Sequence, residues 1–422
     1  MIVLQRIIIN GGKKLYGEIE VQGSKNSTLP ILAASVLVKG VSVIHNCPDL
    51  SDVSAAVSIL EHLGCMVKRE NNTLTVDSSE ISCYNIPDCL MREMRSSIVF
   101  LGSVLGRTGK AVLSSPGGCD IGLRPIDLHL SSLRSLGVNI DESHGEINCS
   151  LENRISGGVI SLSFPSVGAT ENIILACCIS KGRTVILNAA REPEIKDLAD
   201  FLNSCGGRIS IGAQGTVVID GVNKLHSSEH SVIPDRIVAL SYMCAVASAK
   251  GEVSLKNVDT SAFMSVIPLF ESMGCKIKDS GQHVSVKMSV RPRAIRDIRT
   301  MPYPGFPTDA QALVMAVLSK AWGTSVMVEN IFESRFKHVP ELMRMGAKIK
   351  IEGKVALIDG SENLYGASVT APDLRGGAAL VIAGLGAKGE TCIDGLWHID
   401  RGYENIEDTL SALGADIKRI RE

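Results

Sequence analysis

Four segments of this chain combine residue types and spacings that could do chemistry. The first, Gly23-Ser24-Lys25-Asn26-Ser27, opens a predicted helix over residues 29–36. A lysine at a helix start opposes the macrodipole, so Lys25 is either a solvated surface side chain or a cation that meets an anionic partner. The second runs from Ser115 to His129 and holds Gly117, Gly118 and Gly122 around Cys119, with Arg124 close behind. Those glycines predict a flexible loop that presents the thiol, and Arg124 offers a rigid fork for phosphate or carboxylate. A thiol beside cations can serve as acid or nucleophile. The other reading is an incidental loop cysteine, one of twelve. Cys119 stands apart because Cys177 and Cys178 sit in an apolar helix, while Cys65 and Cys275 begin predicted hairpin strands. His129 reads as structural.

The third segment, Tyr303-Pro304-Gly305-Phe306-Pro307-Thr308-Asp309, delivers Asp309 into a helix after a proline-fixed loop. It is a plain helix-start carboxylate or a general base on rigid backbone. The fourth, His398 to Glu404, places Arg401 before the last amphipathic helix, either in a surface ion pair with Asp400 or Glu404 or as a third anion-binding cation. Glu192, Asp235-Arg236 and Asp373-Leu374-Arg375 are further charged groups at helix starts and read as structural or supporting. No metal-ligand set, Walker loop, GxGxxG, nucleophile elbow or HExxH pattern is present. Three cations, a thiol and a carboxylate then suit a site without metal or cofactor for a small polyanion carrying phosphate and carboxylate.

Positioning these residues falls to a repeated element. A helix-like stretch ends at a glycine and is followed by a short strand, a polar turn and a second strand. The glycines are Gly64, Gly137, Gly206, Gly274, Gly346 and Gly414, at intervals of 73, 69, 68, 72 and 68 residues. That exceeds the roughly 20–50 residues of a solenoid repeat, so each copy is a small α/β module. Before Gly64, Val53, Ala56, Val57, Leu60 and Leu63 share one face, with Asp52 as the expected N-cap. Before Gly206, Pro193 marks the helix start, and Ile195, Leu198, Ala199 and Leu202 line one side. Lys348 to Ile351 and Val355 to Ile358 read as a hairpin across Glu352-Gly353-Lys354.

The sixth copy ends without its second strand, and the first is preceded by a surplus one, Arg6 to Asn10. The N-terminal strand is therefore expected to complete the last copy. This predicts two three-copy domains: a continuous one, 23–230, carrying the cysteine loop, and a discontinuous one, 1–22 plus 231–422, carrying Asp309. The polar run 223–231 would form the second crossing. Paired domains with two crossings commonly close on ligand, which places the expected active site in the cleft between them.

Composition narrows the class. The 422 residues are 45% hydrophobic and 21% charged, with 43 Lys plus Arg against 45 Asp plus Glu. That balance disfavours a nucleic-acid partner, whose phosphates demand a basic excess. No stretch approaches the roughly 18 apolar residues of a membrane span, and Arg6 interrupts the N-terminal apolar run, unlike a signal peptide. Scattered cysteines without CxxC pairing read as reduced thiols, so the expectation is a soluble cytoplasmic α/β protein.

Ten blocks carry a resemblance: GSKNSTLPILAA, MREMRSSIVFLG, PGGCDIGLRPIDLHL, SVGATEN, NAAREPEI, PDRI, FPTDAQA, ENIFESRFKHVPELMRMGA, PDLRGGAALVIAG and HIDRGYENIEDTL. In this order, and over essentially the whole chain, they resemble the UDP-N-acetylglucosamine 1-carboxyvinyltransferase family of enolpyruvyl transferases. The resemblance implies an inside-out α/β barrel of six βαβαββ units in two domains. It implies transfer of the enolpyruvyl group of phosphoenolpyruvate to the 3′-hydroxyl of UDP-N-acetylglucosamine with release of phosphate, the first committed step of peptidoglycan precursor synthesis. By that likeness Cys119 protonates C3 of phosphoenolpyruvate and can form an adduct with it, and Asp309 takes the proton of the attacking hydroxyl. Lys25, Arg124 and Arg401 hold phosphate and carboxylate. Asn26, Arg95, the run Arg124-Pro125-Ile126-Asp127-Leu128, Ser166, Val167, Gly168, Asp309 and Ile331 match the UDP-sugar contacts, a set that Lys25 joins. A cysteine at position 119 further implies alkylation by fosfomycin. One departure is Phe164, where some members carry a lysine near the nucleotide. The rival readings are an enolpyruvylshikimate-phosphate synthase and a non-catalytic, regulatory UDP-sugar-binding relative.

Overall fold

A computed structural model of the protein describes residues 5–114 and 126–421. These residues gather into two compact units, one of residues 5–22 and 234–421, the other of residues 23–114 and 126–233. Each unit holds three four-stranded sheets, six among the described residues.

The module is clearest in the second unit. Strand Gly158–Ser161 runs parallel to Arg183–Leu187, which pairs antiparallel with Thr216–Asp220, which in turn pairs antiparallel with Ile209–Gly212. Helix Pro193–Ser204 starts with proline in its first turn and buries Ile195, Leu198, Ala199 and Leu202, as its apolar face demands. The six repeat glycines all take left-handed backbone, with φ of 104°, 86°, 93°, 105°, 92° and 94° in chain order. A side chain there would be strained, and glycine ends each helix and turns the chain into its hairpin. Lys348–Glu352 and Val355–Asp359 form the expected hairpin.

Behind the sheets lie helices that are apolar all round, as fully buried helices are. In the first unit these are Arg236–Ala249, Thr308–Leu318 and Leu374–Gly386, each packing against the other two. The Lys320 ammonium donates to the Ser248 carbonyl at 3.1 Å and to that of Gly386, tying together the C-terminal ends of all three. At their other ends Arg375 donates to Asp309. The three helices therefore run the same way, with their N-termini gathered at Asp309. In the second unit Phe100–Thr108 packs against Val167–Cys178. Contact there is close because Gly102 has no Cβ, which would fall 2.3 Å from the Asn172 carbonyl oxygen.

Strand exchange closes the sheets. Gln5–Asn10 lies between Glu390–Asp394 and Asp416–Arg421, antiparallel to both, and supplies the strand that the last copy lacks. Leu15–Glu20 runs parallel to Gly251–Lys256, and Ser228–Ser231 runs parallel to Val41–His45. The run 223–231 is thus not simply a crossing linker. Its polar residues make an edge strand, where polar side chains are at home.

Two local expectations change. The first helix is Lys25–Ser35 rather than 29–36, because the Ser24 side chain accepts from the Ser27 N–H and begins the helix a turn earlier. Asp52 is not an N-cap. Helix Ser51–His62 is preceded by Leu50, and Asp52 is buried in its first turn, turned toward Lys25. Cys177 and Cys178 are fully buried, and burial pushes both thiols up to about 12, so they stay protonated core residues. Among the described residues no helix is long and apolar enough to cross a membrane.

Candidate active site

The second unit builds a cationic helix start. Lys25 is only 8% exposed, and its ammonium lies 3.0 Å from the Asp52 carboxylate, so the surface reading of this lysine fails. Two residues on, the Ser27 hydroxyl donates to Asp197, whose other oxygen lies 2.8 Å from His230 Nε2. This network anchors the turn that carries Lys25 and Asn26. Arg95 begins the 3₁₀ turn Arg95–Val99, which packs against both Lys25–Ser35 and Val167–Cys178. Ser166 caps the latter helix through a hydrogen bond from the Ala169 N–H, 3.3 Å long. Val167 and Gly168 open that helix against Asp127–Ser135, which begins with Asp127 and Leu128 just after Ile126. A Cβ on Gly168 would meet His129 at 2.9 Å, so glycine permits this approach. His129 is buried and its Nδ1 lies 2.8 Å from Asn172 Nδ2, the structural part expected of it. Phe164, by contrast, is 42% exposed just before this helix start.

The first unit builds an anionic centre on two buried guanidiniums. Asp309 lies in the first turn of Thr308–Leu318, where a carboxylate suits the helix dipole. Its Oδ1 accepts from Arg335 Nη2 at 2.7 Å and its Oδ2 from Arg375 Nη2 at 3.1 Å. Both arginines are buried while the Asp309 side chain remains 29% exposed, so the carboxylate is gripped from inside and reachable from outside. Arg375 Nη1 also donates to the Tyr403 hydroxyl at 3.0 Å, which lies 2.8 Å from Ser241 Oγ. Burial works against the Arg375 charge, but Tyr403, Asp309 and Asp235 outweigh it and hold its pKa above the ordinary arginine value. Burial also raises the Tyr403 phenol, so it serves as a neutral hydrogen-bonding group. Asp373 and Asp235, which looked like helix-start charges, cap Leu374–Gly386 and Arg236–Ala249 through backbone N–H bonds.

Arg401 is half-buried beyond the short helix Leu396–Ile399. Asp400, one of its two expected ion-pair partners, is held by Arg419 at 2.6 and 2.9 Å. Ile331 sits in the loop after strand Thr324–Val328, its N–H bonded to Glu329 at 2.8 Å. Cys119, Arg124 and Pro125 lie outside the described residues. Sequence reasoning did not single out Arg335 or Glu329, and it took Arg375 for a supporting charge. No local pattern marks them, since the partners lie 26 and 66 residues from Asp309.

The chain matches the EPSP synthase (3-phosphoshikimate 1-carboxyvinyltransferase) family over residues 9–410. It is 54% identical to UDP-N-acetylglucosamine 1-carboxyvinyltransferase 2 of Caldanaerobacter subterraneus subsp. tengcongensis over 412 residues, 98% of this chain and 99% of the relative. Among solved structures it is similar to the enolpyruvyl transferase NikO from Streptomyces tendae, with TM-score 0.90, 24% identity and all of both chains covered. It is also similar to EPSP synthase from Acinetobacter baumannii, with TM-score 0.76, 17% identity and 99% and 100% of the chains covered. Those two likenesses establish the fold, an inside-out α/β barrel with three repeats in each unit. On the family match and the full-length identity, this chain belongs to the EPSP synthase family of enolpyruvyl transferases, among the UDP-N-acetylglucosamine 1-carboxyvinyltransferases.

Proposed function

We propose that the protein transfers the enolpyruvyl group of phosphoenolpyruvate to the 3′-hydroxyl of UDP-N-acetylglucosamine, releasing phosphate, in the cytoplasmic first committed step of peptidoglycan precursor synthesis. The observation that carries this reading is the 54% identity, end to end, with a relative named for that acceptor.

The residues supply the steps. The Cys119 thiol gives a proton to C3 of phosphoenolpyruvate, and C2 becomes oxocarbenium-like. The acceptor oxygen bonds to C2 as its proton passes to Asp309, whose exposed edge faces outward from Arg335 and Arg375. The resulting tetrahedral centre carries both phosphate and carboxylate. Lys25, Arg124 and Arg401 stabilise that charge, a preorganised electrostatic role. Cys119 then takes back a proton from C3, the C2–phosphate oxygen bond breaks, and enolpyruvyl ether and phosphate leave. Asn26, Arg95, residues 124–128, Ser166 to Gly168 and Ile331 hold the UDP-sugar. With Phe164 in place of a lysine, contact at that point is apolar or through backbone, which bears on affinity more than on turnover. In this reading the Cys119 thiol and the Asp309 carboxylate act together on one substrate pair, from which water is kept out.

The test is phosphate release from phosphoenolpyruvate with and without UDP-N-acetylglucosamine, beside a shikimate 3-phosphate control. Release that needs the UDP-sugar and disappears in Cys119→Ala is expected, as is a mass increase on incubation with fosfomycin and UDP-sugar. Release with shikimate 3-phosphate, or binding of UDP-sugar without release, would overturn the reading.

A further inference from the structure

Glu329 is a carboxylate that the reaction scheme does not use, yet it is 1% exposed. A buried carboxylate persists only where hydrogen bonds replace its water. Its Oε1 accepts three: from Thr300 Oγ1 at 2.9 Å, from the Ile331 N–H at 2.8 Å and from the Phe332 N–H at 3.0 Å. Its Oε2 accepts from Thr308 Oγ1 at 3.0 Å. Four donors thus converge from three elements: the end of strand Ile298–Arg299, the loop carrying Ile331, and the first residue of helix Thr308–Leu318.

Two routes lead from this carboxylate to Asp309. One is covalent and short, because Thr308 precedes Asp309. The other runs through the loop: the Phe332 ring lies under the Arg335 guanidinium at 5.7 Å, and Arg335 grips Asp309. Thr300 doubles the hold on the loop, since its hydroxyl also accepts from the Asn330 N–H at 2.8 Å and its carbonyl from Asn330 Nδ2 at 3.2 Å. A loop fixed by charge-assisted backbone bonds is stiffer than one fixed by packing.

We infer that Glu329 is a positioning residue that sets the Ile331 loop for the sugar nucleotide and the Asp309 carboxylate for the attacking hydroxyl, through one buried hydrogen-bond junction. This role rests on the proposed function and deepens it. Removing the junction affects acceptor binding and turnover together, while phosphoenolpyruvate binding on the Lys25 side stays as it was.

Three variants test it. Glu329→Gln keeps a carbonyl oxygen for the three Oε1 bonds, and the Thr308 hydroxyl can reverse to accept from the new amide. Its constants should stay within a few-fold of wild type. Glu329→Ala frees the loop, and the KM for UDP-N-acetylglucosamine should rise on the order of tenfold, with kcat falling up to roughly 100-fold, the scale of a small misplacement of reacting groups. Thr308→Val, whose shape is unchanged, cuts only the route to the helix; it should lower kcat and leave the acceptor KM alone. A wild-type enzyme without UDP-sugar-dependent turnover would overturn the reading of the reaction and this role with it. With an active wild type, the role falls if Glu329→Ala shifts both substrates' KM equally, or if Thr308→Val leaves kcat within twofold. Should Glu329→Ala not fold, the Thr308→Val split decides.

Discussion

At Asp309 one side chain is asked to do two things. It balances two buried guanidiniums, and it offers its open edge to a hydroxyl. Asp309→Asn keeps the shape and removes the charge. Turnover should fall by roughly 10²- to 10⁴-fold, the usual worth of a positioned base. The same change removes the carboxylate that Arg335 and Arg375 share, leaving Asp235 to offset the Arg375 charge, and should cost about 2 kcal/mol of stability by urea unfolding, the scale of lost hydrogen bonds to charged groups. Activity lost with stability unchanged would mean that the arginines find other partners. Lys25 shows what the residues alone left open. Its motif is local and was legible, although the helix it opens begins a turn earlier than the sequence suggested. Its burial was not, because the partner that decides it, Asp52, sits on another helix, 27 residues away. The same holds for the arginines on Asp309, which become visible only once three helix ends meet.

The helices themselves were easier to read. The repeat glycines mark where the amphipathic helices end, and the three helices buried in the first unit are almost wholly apolar beyond their charged first turns. Their common direction was not legible, since it depends on tertiary packing. That direction puts three sets of C-terminal carbonyls at one pole, and Lys320 sits among them. Burial, then the neighbouring Lys250 and Arg291, lowers its pKa to about 8 from the ordinary 10.5. A folded-state value below the unfolded one means that the unfolded chain binds the extra proton between about pH 8 and 10.5. Stability from this group therefore rises with pH across that window and is flat below it. In Lys320→Met the alkaline gain, at most roughly 3 kcal/mol by the linkage of pKa to free energy, should vanish. Melting temperatures of both proteins between pH 7 and 10 would check it, and parallel profiles would contradict it.

For the whole chain, the six-fold repeat and the return of the N-terminal strand to the last copy could be inferred from a missing strand at one end and a surplus at the other. The exchange of leading strands, Leu15–Glu20 for Ser228–Ser231, could not. Both segments are short, and their partners lie far off in the chain. Deleting residues 1–11 should strip the strand between Glu390–Asp394 and Asp416–Arg421 and leave two bare edges. Urea unfolding should then show an early loss confined to the first unit, with the second unit's transition kept. A single unshifted transition would count against this.

The same exchange sets an order of events during translation. The second unit has all its strands once residue 231 has left the ribosome. Residues 5–10 have to wait first for residues 390–394 and then for residues 416–421. At about 5–20 residues per second that delay is roughly 20–80 s. Until residues 390–394 emerge, the apolar run Ile7-Ile8-Ile9 has no strand to pair with, the condition under which an exposed apolar strand invites aggregation.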